Sequence, residues 1–205
     1  MVSARLLSNG NLESFLRGHL EESGVCEAVF CREAARLARE SSAEFSVARF
    51  IALNDRLAAL KPAREARAGS AALGNNFLRA VLVLTESPSL RQALETTEDD
   101  SRLAESGIGH SIAFGLAGGA LGFDENSLVL AYLHQWLANS VSVFQRLLPI
   151  GQTQATQILW NLKVAIMAAA NRSAQLSPEN VSSFTPLLDW GAMEHPALVT
   201  RLFIS

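Results

Sequence analysis

The chain has 205 residues, of which 49% are hydrophobic and 18% are charged, and its formal net charge is −3. This composition is typical of a globular protein, and it leaves no excess of basic charge to attract nucleic acid or anionic lipid. The two cysteines, Cys26 and Cys31, are five positions apart, which excludes a CxxC zinc site and a disulfide framework. We expect both to be small apolar residues of a reduced protein.

The N-terminus has no basic segment followed by an apolar run, so it does not resemble a signal peptide. The most apolar window, from Ile112 to Phe123, is about 12 residues long, whereas a bilayer requires roughly 20. We therefore expect no membrane span and a cytoplasmic location.

Apolar residues recur at helical spacing along the chain, and strand-like alternation of useful length does not occur. In the first half, the spacing and the capping residues predict five helices. They are one capped by Asn11 and stopped by Gly24, one over 25–40, one over 44–60, one with Pro62 in its first turn that reaches Leu84, and a short one after Pro88.

The polar segment TTEDDSRLAESG, residues 96–107, is predicted to be a loop. Its carboxylates Glu98, Asp99 and Asp100 suggest magnesium binding, as in all-helical isoprenoid enzymes. They are adjacent in one stretch, however, and the sequence has no matching acidic cluster, which favours a solvated loop.

Two glycine pairs follow, Gly115 with Gly119 and Gly118 with Gly122. On a helix, residues four apart share a face, so these pairs predict a tightly packed core helix where another backbone approaches closely. No GK[ST] follows any of them, which excludes a P-loop GTPase.

The second half is predicted to contain a mostly apolar helix over 126–148 and another reaching about Arg172, with further helix starts at SPEN and at Thr185-Pro186. The last of these ends near His195-Pro196. The chain thus reads as all-α: a single-domain bundle of about ten helices over 1–205, in which 196–205 forms a tail.

The segment LLPIGQTQ, residues 147–154, separates two of these helices. Pro149 cannot continue a helix, since an interior proline costs about 3 kcal/mol or more. We expect Gly151 to supply the backbone freedom that the turn requires. Arg146 then lies in the last turn of one helix, and Gln152 begins the next, so the break forms a rigid corner with one positive charge and several hydrogen-bonding groups.

At this point the sequence resembles the UreF family of urease accessory proteins. RLLPIGQTQATQILW is similar to the family segment R/K-L-x-P-L/F-G-Q, and REARAGSAALGNNFLRA to E-x-R-x-x-S-x-x-x-G. GHSIAFGLAGGALGF resembles the family's H-x-x-x-F-G helix, and TPLLDWGAMEHPALVTRLFIS its ending in R-L-F-x-S. These four segments occur in the family's order and cover about residues 62–205.

The chain departs from the family pattern in two places. Nothing before NLESFL resembles the family's N-terminal segment L-x-x-L-x-S-P-x-x-P-x-G-x-F, so the chain is expected to start after it. The family's H-E pair reads His195-Pro196 here, which removes one carboxylate.

The resemblance implies a non-enzymatic protein that is needed for nickel insertion into apo-urease. Such a protein forms a homodimer, binds a UreH/UreD-like accessory protein and with it recruits and regulates a UreG-like GTPase. No cofactor is expected to bind tightly, because nickel is handled by the complex, and no metal ligand is assigned to this chain. Neither nucleic acid nor membrane is expected as a partner.

The resemblance also places candidate residues. Those expected to bind a partner are Arg146, Gln152, Arg201, Leu202, Phe203 and Ser205. Those expected to form a polar or structural site are Glu65, Arg67, Ser70, His110 and His195. In the tail, an arginine beside a large aromatic residue is a typical pair of interface anchors, and we expect it to dock into the UreH-like partner.

Without the family resemblance, the residues alone leave two other classes of function possible. An all-α enzyme would require a convergent acid or metal constellation, which the sequence does not assemble. A helical adaptor of the same fold that is no longer dedicated to urease is the alternative to the scaffold.

Overall fold

The computed structural model describes residues 7–39, 45–99, 107–186, 190–191 and 193. These residues form nine α-helices, one π-helical turn and no strand, so the predicted all-α class is confirmed, with about ten helices expected. The helices are α1 Leu12–His19, α2 Val25–Arg39, α3 Val47–Ala59, α4 Arg64–Leu84, α5 Pro88–Asp99, α6 His110–Ala120, α7 Glu125–Leu147, α8 Gln152–Asn161 and α9 Lys163–Ser173.

The predicted stop at Gly24 is wrong, because the helical path continues through it. A π-helical turn, Leu20–Gly24, joins α1 directly to α2. A Cβ on Gly24 would lie 2.8 Å from the Cδ1 atom of Leu20, so the glycine makes room for a buried leucine. The residue therefore serves packing and not termination.

The prediction of a close helix contact is confirmed for Gly115 and Gly119. A Cβ on these residues would lie 2.1 Å from the carbonyl oxygen of Cys31 and 2.2 Å from that of Ala35. Only glycine allows α6 to lie against the α2 backbone in this way. The second pair does not form a stripe, since Gly122 follows α6 in a turn with φ of 75°.

Helix α2 lies between two hydrophobic clusters and contributes to both. Its Cys31 and Ala35 pack with residues of α1, α7, α8 and α9. Its Phe30 and Leu37 pack with residues of α3, α4, α5 and α6. Nearly all of α2 is therefore buried, which explains why charged side chains on this helix are forced to find partners.

Two helix ends differ from their predictions. Thr96 to Asp99 belong to α5 and not to a loop, because Thr97 is buried and its hydroxyl donates to the carbonyl oxygen of Ala93 at 3.2 Å. Pro62 precedes α4, which begins at Arg64 after an extended Ala63.

Candidate functional site

The loop between residues 107 and 109 is held by two polar side chains, one from α3 and one from α4. Asn54 donates to the carbonyl oxygen of Gly107 at 2.8 Å and accepts from the amide of Gly109 at 2.9 Å. Asn75 accepts from the amide of Ile108 at 3.1 Å. These bonds satisfy backbone groups that precede α6 and that burial would otherwise leave without partners.

The same contact brings together two predicted residues, since the Ser70 hydroxyl accepts from the amide of His110 at 3.0 Å. Close by, a Cβ on Gly74 would lie 2.1 Å from the carbonyl oxygen of Ile108. The segments REARAGSAALG and GHSIAFG therefore meet through Ser70 and Gly74. Both residues thus have a structural role in packing α4 against the start of α6. Sequence reasoning missed Asn54, although an asparagine between Leu53 and Leu57 on an apolar face was a usable signal.

Other predicted polar residues lie near this contact. Arg67 donates to the carbonyl oxygen of Pro62 at 2.8 Å, which ties the first turn of α4 to the loop before it. Glu65 is half-buried in the same turn. The His110 ring packs among Phe77, Phe114 and Tyr132 with centroids 5.7–6.3 Å away. His195 lies outside the described residues.

A buried ion pair that the sequence analysis did not find joins Glu27 of α2 to Lys61, which precedes α4. The Glu27 carboxylate also accepts from the Tyr132 hydroxyl at 3.4 Å. Burial raises the pKa of Glu27, but the attraction and hydrogen bond of the Lys61 ammonium outweigh burial and leave that pKa below its usual value. Glu27 is therefore a charged structural group that already has its partners, which makes it a poor general base.

A cavity of about 280 Å³ opens beside this ion pair, and His19 and Trp136 form part of its wall. The His19 ring lies against Trp136 with centroids 4.5 Å apart, and its Nδ1 atom has no hydrogen-bond partner within the described residues. Burial lowers the pKa of His19 to about 4, although the charge of Glu27 acts in the opposite direction. The imidazole is thus neutral at pH 7.

These properties of His19 predict acid sensitivity. The unfolded chain takes up a proton on this residue near pH 6.5 and the folded chain near pH 4, so folding stability is lost as the pH falls through this window. His19 alone should lower the free energy of unfolding by about 2 kcal/mol between pH 7 and pH 5. Burial also lowers the pKa of His110, which should add to the loss.

Urea unfolding of His19→Phe at pH 7 and pH 5 measures this contribution. The variant should lose less stability than the wild type over the same interval. His134→Gln, which replaces an exposed histidine of α7, is the control and should keep the wild-type slope. Equal slopes for wild type and His19→Phe would contradict the assignment.

The predicted corner between α7 and α8 is present. Helix α7 ends at Leu147, Leu148 is extended, and α8 begins at Gln152. Gly151 has φ of −76° and ψ of 166°, which any residue adopts, so the expected need for glycine here is wrong. The turn is instead fixed by Pro149 and by the buried side chain of Ile150.

Both predicted residues of the corner face solvent. Arg146 is exposed in the last turn of α7, and Gln152 is exposed at the start of α8. Gln145 bridges the two helices by donating to the Gln152 side-chain oxygen at 3.3 Å. The corner therefore presents a cation and an amide on two adjoining helix ends where another protein can reach them. Arg201, Leu202, Phe203 and Ser205 lie outside the described residues.

In the part of the chain that the structure describes, no group of three or more His, Cys, Asp or Glu residues is arranged to hold a metal ion. Burial raises the pKa of the Cys26 thiol to about 12 and raises that of Cys31 as well, so neither thiolate forms readily. Among the same residues, no helix combines the length and apolarity needed to cross a bilayer.

The fold and the corner define an all-α protein that presents polar groups on rigid helix ends. A family model described as UreF matches residues 7–163. The chain is 30% identical over 195 residues to the urease accessory protein UreF of Bradyrhizobium sp. strain BTAi1. The aligned region covers 93% of this chain and 76% of the relative. It is 34% identical over 154 residues to the UreF of a Methylobacterium species, covering 75% and 59%. The chain belongs to the UreF family of urease accessory proteins.

Proposed function

We propose that this protein is a non-enzymatic scaffold required for nickel insertion into apo-urease. It acts in the cytoplasm as a homodimer, binds a UreH/UreD-like accessory protein, and with it recruits and regulates a UreG-like GTPase. Membership of a family of urease accessory proteins carries this proposal. The absence of a P-loop from the sequence agrees with a GTPase supplied by another chain.

Within this function, the corner of Arg146 and Gln152 is assigned to contact with the GTPase-containing complex. The Arg146 guanidinium carries a charge and several hydrogen-bond donors at an exposed helix end, which suits a carboxylate of a partner. The tail residues Arg201, Leu202 and Phe203 are assigned to the UreH/UreD-like partner. Nickel is cargo of the complex, and no ligand for it is assigned to this chain.

The function is tested by urease activation with purified components. Apo-urease, the UreH/UreD-like protein, the UreG-like GTPase, GTP and nickel should give active urease when this protein is present and little activity without it. Normal activation in its absence would refute the proposal and favour the adaptor of the same fold. The protein alone should hydrolyse no GTP.

Arg146→Ala should reduce urease activation at least ten-fold while the melting temperature changes little. A charge at a helix end contributes only about 0.3–1 kcal/mol, too little to unfold the domain. Arg146→Lys should retain most of the activation, because the family segment accepts either cation. Arg91→Ala, a change at an exposed arginine of α5, is the matched control. If Arg146→Ala activates urease as the wild type does, this residue is only a helix cap.

A further inference from the structure

Exposed residues of α8 and α9 form one continuous line that starts at the corner. Gln152, Thr156 and Trp160 follow one another at four-residue spacing along α8, and Val164 continues the spacing on α9. The line continues across the junction at Leu162, because helical hydrogen bonds are kept there. The amide of Leu162 donates to the carbonyl oxygen of Ile158, and the carbonyl oxygen of Leu162 accepts from the amide of Ile166. We call the line from Gln152 to Met167 the α8–α9 stripe.

The end of this stripe is apolar and faces solvent in the described structure. Trp160 and Val164 are each 65% exposed, and Met167 is 56% exposed. The Lys163 ammonium lies 3.4 Å from the centroid of the Trp160 ring, where it holds the indole in place. A fixed, exposed tryptophan beside two further apolar side chains is typical of an interface centre, since tryptophan is enriched among residues that dominate binding energy.

The charge around the stripe selects the kind of partner. All 20 aspartate and glutamate residues of the chain lie outside residues 126–178, and this acid-free segment carries Arg146, Lys163 and Arg172. Among the carboxylates of the described structure, Glu13 contacts this segment, where it accepts from Asn161 at 3.0 Å, and it is paired with Arg17. The stripe therefore combines exposed apolar side chains with cations of the same acid-free segment, and we call these cations its positive rim.

From this combination we propose that the α8–α9 stripe docks a protein surface with an apolar centre and a rim of carboxylates. A second copy of this chain is disfavoured, because it would bring two positive rims together. Nucleic acid is disfavoured because three cations are too few for tight phosphate binding. Since Gln152 belongs to both surfaces, this inference deepens the proposed function and rests on it for the set of candidate partners.

The test measures binding of the full chain to three purified probes, namely the UreH/UreD-like protein, the UreG-like GTPase and apo-urease. Trp160→Ala, Val164→Glu and Lys163→Glu should each weaken binding of one probe at least ten-fold. Raising the salt concentration from 50 to 500 mM should weaken the same complex, because it screens the rim charges. Val83→Glu is the matched control, since Val83 is 84% exposed on α4 and should tolerate the change.

The outcomes separate the stripe from the function. If a probe binds the wild type, the three stripe variants and the control variant equally, the stripe is not an interface, while the proposed function stands. If no probe binds the wild type, both the proposed function and this inference fail. Binding of phosphatidylglycerol vesicles that Val164→Glu removes would make the stripe a membrane contact and would also overturn the inference.

Discussion

Replacing Lys61 by methionine should lower the free energy of unfolding by about 3–5 kcal/mol at pH 7. The change keeps most of the side-chain volume but leaves the Glu27 carboxylate buried without its cation, and breaking a buried ion pair in this way costs about that much. Glu27 is 8% exposed, so water replaces the lost partner poorly. Urea unfolding followed by circular dichroism measures the effect.

Two further variants distinguish a buried charge from general disruption. Arg79→Met breaks the Arg79–Glu98 pair, in which both side chains are more than half exposed, and should cost less than about 1 kcal/mol. The double variant Glu27→Leu with Lys61→Met should recover much of the loss, because no unpaired charge then remains. A double variant as unstable as Lys61→Met would show that packing, and not charge, dominates this position.

The pH dependence of the Lys61→Met effect follows from the Glu27 carboxyl. In the wild type, its pKa lies below that of the unfolded chain, so its contribution to stability is present at neutral pH and is lost as the pH falls. Without Lys61, burial should raise this pKa above the unfolded value, and protonation should then relieve the penalty. The stability difference between wild type and variant should therefore begin to shrink above pH 4.5, where the raised carboxyl of the variant takes up its proton. It should shrink further below pH 4.5, where the wild type loses the contribution of its ionised Glu27.

The sequence predicts helices well in this chain because apolar spacing is a local property. The predicted end of α4 at Leu84 agrees with the structure, in which Thr85 is extended. The predicted end of α7 near Leu148, before Pro149, lies within one residue of the observed end. Glycine is harder to interpret, since one residue type serves several purposes. The sequence predicts a helix stop at Gly24 and a turn that requires glycine at Gly151. In the structure, Gly24 makes room for a leucine and Gly151 adopts an ordinary conformation.

The candidate site, too, could be predicted from the sequence only in part. Ser70 and His110 could be selected from a family segment, but their contact depends on how α4 packs against α6. Glu27 and Lys61 are 34 positions apart, and no local pattern indicates that they meet. A single acid within the apolar run VCEAVFC was the one available sign that Glu27 requires a buried partner.

The close contact between α2 and α6 yields the second large effect. Replacing both Gly115 and Gly119 by alanine should destabilise the chain by about 3 kcal/mol or more. Each added Cβ would lie within 2.2 Å of a backbone carbonyl oxygen of α2, so the two helices must move apart. Overpacking a tight interior site costs about 1–3 kcal/mol per change, and backbone cannot yield as a flexible side chain does.

Gly69→Ala is the matched control, because the same substitution in the middle of α4 meets nothing within 4 Å. Alanine is the better helix former by about 0.5–1 kcal/mol, so this variant should be slightly more stable than the wild type. Thermal and urea unfolding should thus show changes in stability of opposite sign for the two variants, although both consist of glycine-to-alanine substitutions. If the double variant were as stable as Gly69→Ala, α6 could not lie as close to α2 as described. The packing that joins the two hydrophobic clusters through α2 would then have to be looser.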